Sequence, residues 1–197
     1  AFAGFSGAGK SSLALHVMNE GTDFVSNDRL LVKRNGDGLD MLGVAKLPRV
    51  NPGTLLNNPR LSDLLSPEDV ESLDGLDGEA LWKLERKYDV FIDDFYGKGK
   101  FSLHAPMQSL VILNWSRLEQ GAFSFAEIDP GKRRDLLPAF IKSPGLFYEP
   151  DGLDTDRAFS EDAYLGHLER CRVYEVTGGV DFSRACSLCI EILKTNE

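Results

Sequence analysis

The sequence predicts an α/β fold, a mixed sheet with flanking helices, and three observations carry that expectation. A glycine-rich octet stands between a short apolar run and a helix-forming stretch, the order of a strand–turn–helix unit. Apolar runs bounded by turn residues recur further along, and Gln108 to Trp115 is the strongest of them. Asn35-Gly36-Asp37-Gly38 joins two strand-like runs at hairpin spacing, so part of the sheet is antiparallel.

The octet is Gly4-Phe5-Ser6-Gly7-Ala8-Gly9-Lys10-Ser11, which reads G-x-x-x-x-G-K-S. That is the pattern of a phosphate-binding loop. Triphosphate oxygens need several donors in a small concavity. Glycines let backbone N–H groups turn inward with no Cβ in the way. Lys10 is expected to reach the β- and γ-phosphates, and the Ser11 hydroxyl to ligate Mg²⁺. A helix opening at the loop adds partial positive charge. Gly4, Phe5, Ser6, Gly7, Ala8, Gly9, Lys10, Ser11 and Ser12 are the candidate nucleotide-binding residues, with ATP and Mg²⁺ as cofactors.

Composition bounds the rest. The 197 residues fit one domain, and 42% hydrophobic with 27% charged content is that of a globular protein. A net charge of −9 argues against a nucleic-acid or membrane-surface role. No apolar run approaches ~20 residues, so no transmembrane helix is expected. The loop follows only three residues into the chain, fewer than a full strand, so a domain truncated at its N-terminus is expected. Cys171, Cys186 and Cys189 make no disulfide framework, and a nucleotide-using loop needs cytosolic nucleotide, which points to the cytoplasm. Cys186-Ser-Leu-Cys189 falls on a predicted helix and reads as two packed thiols.

In chain order, Ala1-Phe2-Ala3 ends a buried strand. The first helix runs from about Lys10 to Glu20, and Gly21 supplies its C-cap. Asp23 to Asp28 reads as a short strand. A right-handed crossover would bring its end to the rim of the loop. Asp28 would then stand beside the γ-phosphate, as a Mg²⁺ ligand or as the base for an attacking hydroxyl. Leu30 to Arg34 and Leu39 to Val44 are strands about the hairpin turn. Lys46 to Gly53 is a rigid loop whose cations Lys46 and Arg49 are either solvated or in contact with phosphate.

Residues 60–86 read as interrupted helix. Ser66-Pro67-Glu68-Asp69 is an N-cap, a first-position proline and two first-turn acids. A second short helix runs from Glu79 to Arg86. Tyr88 to Asp94 looks like a strand ending in Asp93 and Asp94, one of which is expected to face Mg²⁺. Ala122 to Ile128 is a strand, and Lys132-Arg133-Arg134 opens a helix towards Ile141. That triplet either stabilises transferring phosphate or is a solvated helix start. Ser143-Pro144-Gly145 and Glu149-Pro150-Asp151-Gly152 mark a long loop over the site. A helix to about Arg170, a strand Val173 to Val176 and a helix from Asp181 to Lys194 complete the chain. His16, His104 and His167 show no ligand spacing and read as structural.

The chain resembles the catalytic domain of the HPr kinase/phosphorylase family, and more closely the group of HPr-kinase-related kinases. Four places carry the resemblance: the loop with its short helix; Asn27-Asp28-Arg29, where the family has D-D-R; Glu85-Arg86-Lys87 with Ile92-Asp93 and Tyr96-Gly97, similar to the E-I-R-G region and its trailing I-D and F-G; and Leu113-Asn114-Trp115, similar to an L-E-N-W strand end. It spans residues 4 to 115. The resemblance implies an HPr kinase C-terminal-domain-like fold, and an enzyme that uses ATP and Mg²⁺ to phosphorylate a serine hydroxyl on a small carrier protein. It implies that Asp28 is the general base. Asn27 departs from the first aspartate of the pair. The family's signature glutamate falls near Glu85, and Ser11, Asp28, Glu85 and Asp93 make the implied Mg²⁺ set. The altered signature region speaks against phosphorolysis. The family enzyme is a hexamer, which implies a homo-oligomer here.

Three functions follow from these residues. The first is a phosphotransferase moving the γ-phosphoryl group of ATP to a hydroxyl on a protein or small molecule, with Lys10 and Asp28 catalytic. The others are a regulatory NTPase and a nucleotide-binding module with degenerate chemistry. A GTPase switch usually reads guanine with N-K-x-D, which this chain lacks.

Overall fold

The computed structural model describes residues 1–84, 86–118, 121–142 and 159–195, with the side chains of residues 82 and 83 left aside. Strand β1 (Phe2–Gly4) leads through the glycine loop into α1 (Lys10–Met18). The hairpin β2 (Leu30–Asn35) and β3 (Gly38–Gly43) follows. Next come β4 (Arg49–Val50), α2 (Pro52–Leu56), α3 (Pro67–Leu73), α4 (Gly78–Lys83), β5 (Tyr88–Asp89) and α5 (Ile92–Tyr96). Strands β6 (His104–Pro106), β7 (Ser109–Leu113) and β8 (Ser124–Glu127) precede a 3-10 helix, Arg134–Ala139. The chain closes with α6 (Glu161–Leu168), β9 (Arg172–Thr177) and α7 (Phe182–Thr195).

The main sheet has the order β1-β7-β9-β8. Strands β1, β7 and β9 run parallel, with Gly4 beside Leu113 and Leu113 beside Val176. Strand β8 is antiparallel to β9, which makes the sheet mixed. Three parallel strands therefore end at one rim, the edge where open α/β sheets bind ligands. A second sheet, β2-β3-β6, is antiparallel, and Asn35 opposes Gly38 as the turn residues dictate.

Strand β7 is buried along its whole length because both of its faces are covered. Successive side chains point to opposite faces. Val111 and Leu113 join Leu13, Val17, Val176 and Ala185 beneath α1 and α7. Leu110 and Ile112 join Ala3, Leu39, Leu136 and Val173 on the other face. A third cluster packs Leu15 and Met18 of α1 against Phe24, Leu55, Leu61, Val90 and Ile92.

Several expected elements differ. Residues 23–28 form no strand of the main sheet. Phe24 makes a single parallel bridge to Phe101, its N–H donating to the Lys100 carbonyl over 2.7 Å. The parallel partner of β1 is β7, so no crossover delivers Asp28 to the rim. The run from Tyr88 to Asp94 breaks after Asp89. Ile92 and Tyr96 are buried one helical turn apart, and Asp93 and Asp94 occupy the exposed first turn of α5. Acids there suit the helix dipole. The expected helix from Lys132 towards Ile141 is 3-10 over Arg134–Ala139, with Pro138 inside it. Proline has no N–H to give to an α-helical bond. The loop residues Ser143-Pro144-Gly145 and Glu149-Pro150-Asp151-Gly152 lie outside the described residues.

Candidate functional site

The loop from Gly4 to Gly9 sits at the rim and opens α1. Gly4 has φ 152° and approaches β7 so closely that a Cβ would lie 2.9 Å from the Leu113 carbonyl oxygen. Gly9 has φ 83°, and a Cβ there would lie 2.7 Å from the Phe182 ring. Both positions require glycine, one for approach to the sheet and one for approach to α7. The Trp115 indole N–H donates to the Ala8 carbonyl over 2.8 Å and fixes the far side of the loop.

Lys10 curls back over the loop and donates to the carbonyl oxygens of Gly4 at 2.8 Å and Phe5 at 2.9 Å. Burial pulls its ammonium group below the ordinary lysine value; Lys142 adds to the shift and Asp28 opposes it. The Ser11 hydroxyl donates to Asn27 Oδ1 at 3.0 Å. Ser12 turns away and shares a 2.7 Å hydrogen bond with Thr54.

Asp28 is the one non-glycine residue with positive φ among the described residues, at 71°. Aspartate tolerates that region better than most residues. Its carboxylate pairs with Lys46 at 3.0 Å. That hydrogen bond is the main cause holding the Asp28 carboxyl below its ordinary value, and Lys142 and Arg29 reinforce it. Lys10, Lys46, Lys142 and Arg29 thus act on one carboxylate beside the loop, a local excess of positive charge in a chain of net charge −9. Such a field suits an anion.

On the sheet face opposite α1, Glu175 is buried in the middle of β9. Asn114, one residue beyond β7, donates to it over 2.8 Å, and Arg133 pairs with its other oxygen. Arg133 also chelates Asp135, and these carboxylates raise its already high pKa. Arg134 is held by Glu161 and Asp162, and Lys132 stands 3.6 Å from Asp129. The basic triplet is therefore occupied by carboxylates of the chain itself. Arg49 likewise pairs with Asp89 at 3.0 Å.

Of the expected site residues, the structure groups Gly4 to Ser11 with Asp28, and adds Asn27 as the direct neighbour of Ser11. Glu85 lies outside the described residues. Asp93 has no hydrogen-bonding or ionic partner among them and sits on α5, whose Tyr96 hydroxyl donates to the Leu15 carbonyl over 3.1 Å. Among the described residues no three His, Cys, Asp or Glu side chains gather to hold a metal. The donor set that fits Mg²⁺ is the pair of neutral oxygens on Ser11 and Asn27, an ion that keeps several waters and takes few protein ligands. Asn27, Lys142, Asn114 and Glu175 were not expected. Glu175 had a signal, an acid inside the apolar run Val173 to Val176; Lys142 had none.

The cysteines are free, and burial pushes the Cys189 thiol up to about 12 and raises Cys186. They are packed thiols. Among the described residues no helix is long and apolar enough to cross a membrane.

No family model and no curated protein matches the chain. Among solved structures, the HPr(Ser) kinase/phosphatase from Coxiella burnetii is similar at 12% identity and a TM-score of 0.41, covering 99% of this chain and 84% of that one. What bears on function is the geometry of the loop and the groups around it.

Proposed function

We propose that this chain is an ATP- and Mg²⁺-dependent phosphotransferase that moves the γ-phosphoryl group to a hydroxyl acceptor, with a serine on a small carrier protein as the acceptor class that the sequence resemblance suggests. One observation carries the proposal: a glycine loop at the sheet rim opens α1 with Lys10 and Ser11 at its start, and Asp28 lies within electrostatic reach of Lys10. Lys10 exchanges the Gly4 and Phe5 carbonyls for phosphate oxygens, which offsets its partial desolvation. Ser11 and Asn27 would hold Mg²⁺, which would supply neutralisation of the phosphate charge. Asp28 accepts the proton of the acceptor hydroxyl as its oxygen bonds to the γ-phosphorus and the bond to ADP breaks. Lys46 and Lys142 face the charge that spreads over the transferring oxygens.

Calorimetry of the full chain with Mg²⁺-ATP and Mg²⁺-GTP tests the binding half. Binding that Lys10→Ala abolishes is expected, and no heat with either nucleotide overturns the proposal. Transfer is tested with Asp28→Asn, which should retain ATP binding and lose transfer by about 100-fold or more. A nucleotide-binding module without transfer is the second reading, favoured by the amide of Asn27 beside Ser11. ATP binding by the unaltered chain with no transfer would support it, whereas transfer left unchanged in Asp28→Asn would remove Asp28 as the base.

A further inference from the structure

We infer that the seam between α1 and α7 is a proton-sensitive latch on the glycine loop, closed while His16 is neutral and released when His16 takes a proton. Its closed form is a chain of ring contacts. The His16 ring packs against the Phe182 ring, with centroids 5.5 Å apart and a tilt of 58°. A Cβ on Gly9 would meet that same Phe182 ring at 2.7 Å, and the ring meets Trp115 edge-on at 5.1 Å. Gly9, Trp115 and Phe182 together line a cleft of about 250 Å³ beside the loop. One side chain of α1 therefore holds the ring that holds the loop.

Three observations make His16 the sensor. The first is its unpaired nitrogen. Nδ1 is buried and has no hydrogen-bond partner among the described residues. The neutral ring can leave Nδ1 bare, but the protonated ring carries a donor on both nitrogens. A proton would therefore bury a charge and an unmet donor together. The second is the lack of a compensating charge at the ring, whose pKa burial lowers from the ordinary 6.5. On α7, Arg184 lies over the Phe123 ring and Asp181 accepts the Arg184 N–H at 2.9 Å. Lys10, earlier on α1, is bound to the loop carbonyls, and Arg117 stands at the cleft. The third is a partner for the released ring. Glu20 follows His16 by four positions and is exposed, and its charge reaches Cys186, one turn past Phe182 on α7. It thus belongs to the same seam, and a protonated ring turned away from Phe182 finds a carboxylate there. The other histidines stand elsewhere: His104 pairs with Asp40 of β3, and His167 bonds to the Ala163 carbonyl within α6.

Because the closed seam favours the neutral ring, closure is complete above pH 6.5 and is lost as pH falls from there through the lowered value. A loosened loop holds phosphate less well, so nucleotide affinity falls with it. That consequence rests on the phosphate-binding role proposed above; the latch itself does not.

The test of the latch is two-dimensional NMR of the full chain without nucleotide, between about pH 8 and 5. The Gly9 α-proton in the place of a Cβ points at the Phe182 ring, whose ring current displaces its chemical shift. That signal should move towards the ordinary glycine range with a midpoint below 6.5. It should stay in place in His16→Phe, which keeps a ring and loses the proton, and in His16→Gln. A Gly9 signal that does not titrate in the parent chain overturns the latch, and a titration that persists in both variants removes His16 as its sensor. Calorimetry with Mg²⁺-ATP then tests the consequence. The terminal phosphate of ATP titrates in the same range, so the parent is compared with His16→Phe at each pH. The parent should lose about 5-fold or more in affinity relative to the variant across the range. Equal losses in the two overturn the coupling to nucleotide. No ATP binding at any pH overturns the phosphate-binding role and leaves the latch to the NMR result.

Discussion

The Ser11 hydroxyl donates to the side-chain oxygen of Asn27 across 3.0 Å, joining the first turn of α1 to the segment that carries Asp28. An amide oxygen is a neutral Mg²⁺ ligand, and a carboxylate is a stronger one. Asn27→Asp should therefore lower the Mg²⁺ concentration needed for half-maximal nucleotide binding by about five-fold, the order expected for one added charge at an oxygen ligand. A Mg²⁺ titration at fixed ATP reads this directly. No change would place the metal away from Ser11 and Asn27.

Lys46 and Asp28 form an exposed pair, with side chains 51% and 60% accessible. Such pairs contribute little to stability, about 0–1 kcal/mol, so Lys46→Ala should barely move the denaturation midpoint. Its effect belongs in the pH profile. The folded state lowers the Asp28 carboxyl below 3.8, so its small stabilising contribution is present above that pH and is lost as pH falls through the lowered value. A base is active only when ionised. Removing Lys46 raises the Asp28 carboxyl, and the acid limb of the transfer profile should move to higher pH. An acid limb that stays in place would separate Asp28 from the proton transfer.

Gly9 and Phe182 are in contact across the base of the loop. Gly9→Ala combines a left-handed backbone with a methyl group at 2.7 Å from the ring, and should cost about 1–3 kcal/mol. Phe182→Leu makes room, so in the double variant part of that loss should be recovered. Urea melts of the four proteins give the coupling energy. Strict additivity would mean that the strain lies in the backbone alone.

Glu175 is 6% exposed and holds both Arg133 and Asn114. Glu175→Ala leaves the Asn114 amide without its partner and Arg133 with Asp135 alone. It should destabilise the fold by about 2–3 kcal/mol, below the full cost of breaking a buried pair because Arg133 is partly solvated. Asp135→Ala, at the exposed end of the same network, should cost less than about 1 kcal/mol. Thermal melts distinguish the two.

Local features were readable in the residues. The loop, α1 and the β2–β3 hairpin follow from glycine placement and turn chemistry over a few neighbours, and Ser66 caps α3 as its spacing indicates, accepting from the Asp69 N–H at 3.1 Å. Partner choice was not readable. Nothing in Phe24-Val25 says that its neighbour is Lys100 to Ser102 rather than β1. The contact of Trp115 with Ala8 spans 107 positions, and no local pattern encodes it. The helix α5 had a signal in the four-residue spacing of Ile92 and Tyr96, which the apolar run around them masked. Asp28 acts on Lys10 from a left-handed turn and is held there by an ion pair to Lys46, and neither is a strand-end property.

The bond from the Trp115 indole to the Ala8 carbonyl makes the loop optically visible. The chain has two tryptophans, and a Trp82→Phe variant leaves one, hydrogen-bonded to the loop itself and 8% exposed. Indole emission shifts with polarity and hydrogen bonding at its nitrogen. Any occupant that moves the loop or fills the cleft beside it therefore changes the colour of the protein's own fluorescence, with no label attached.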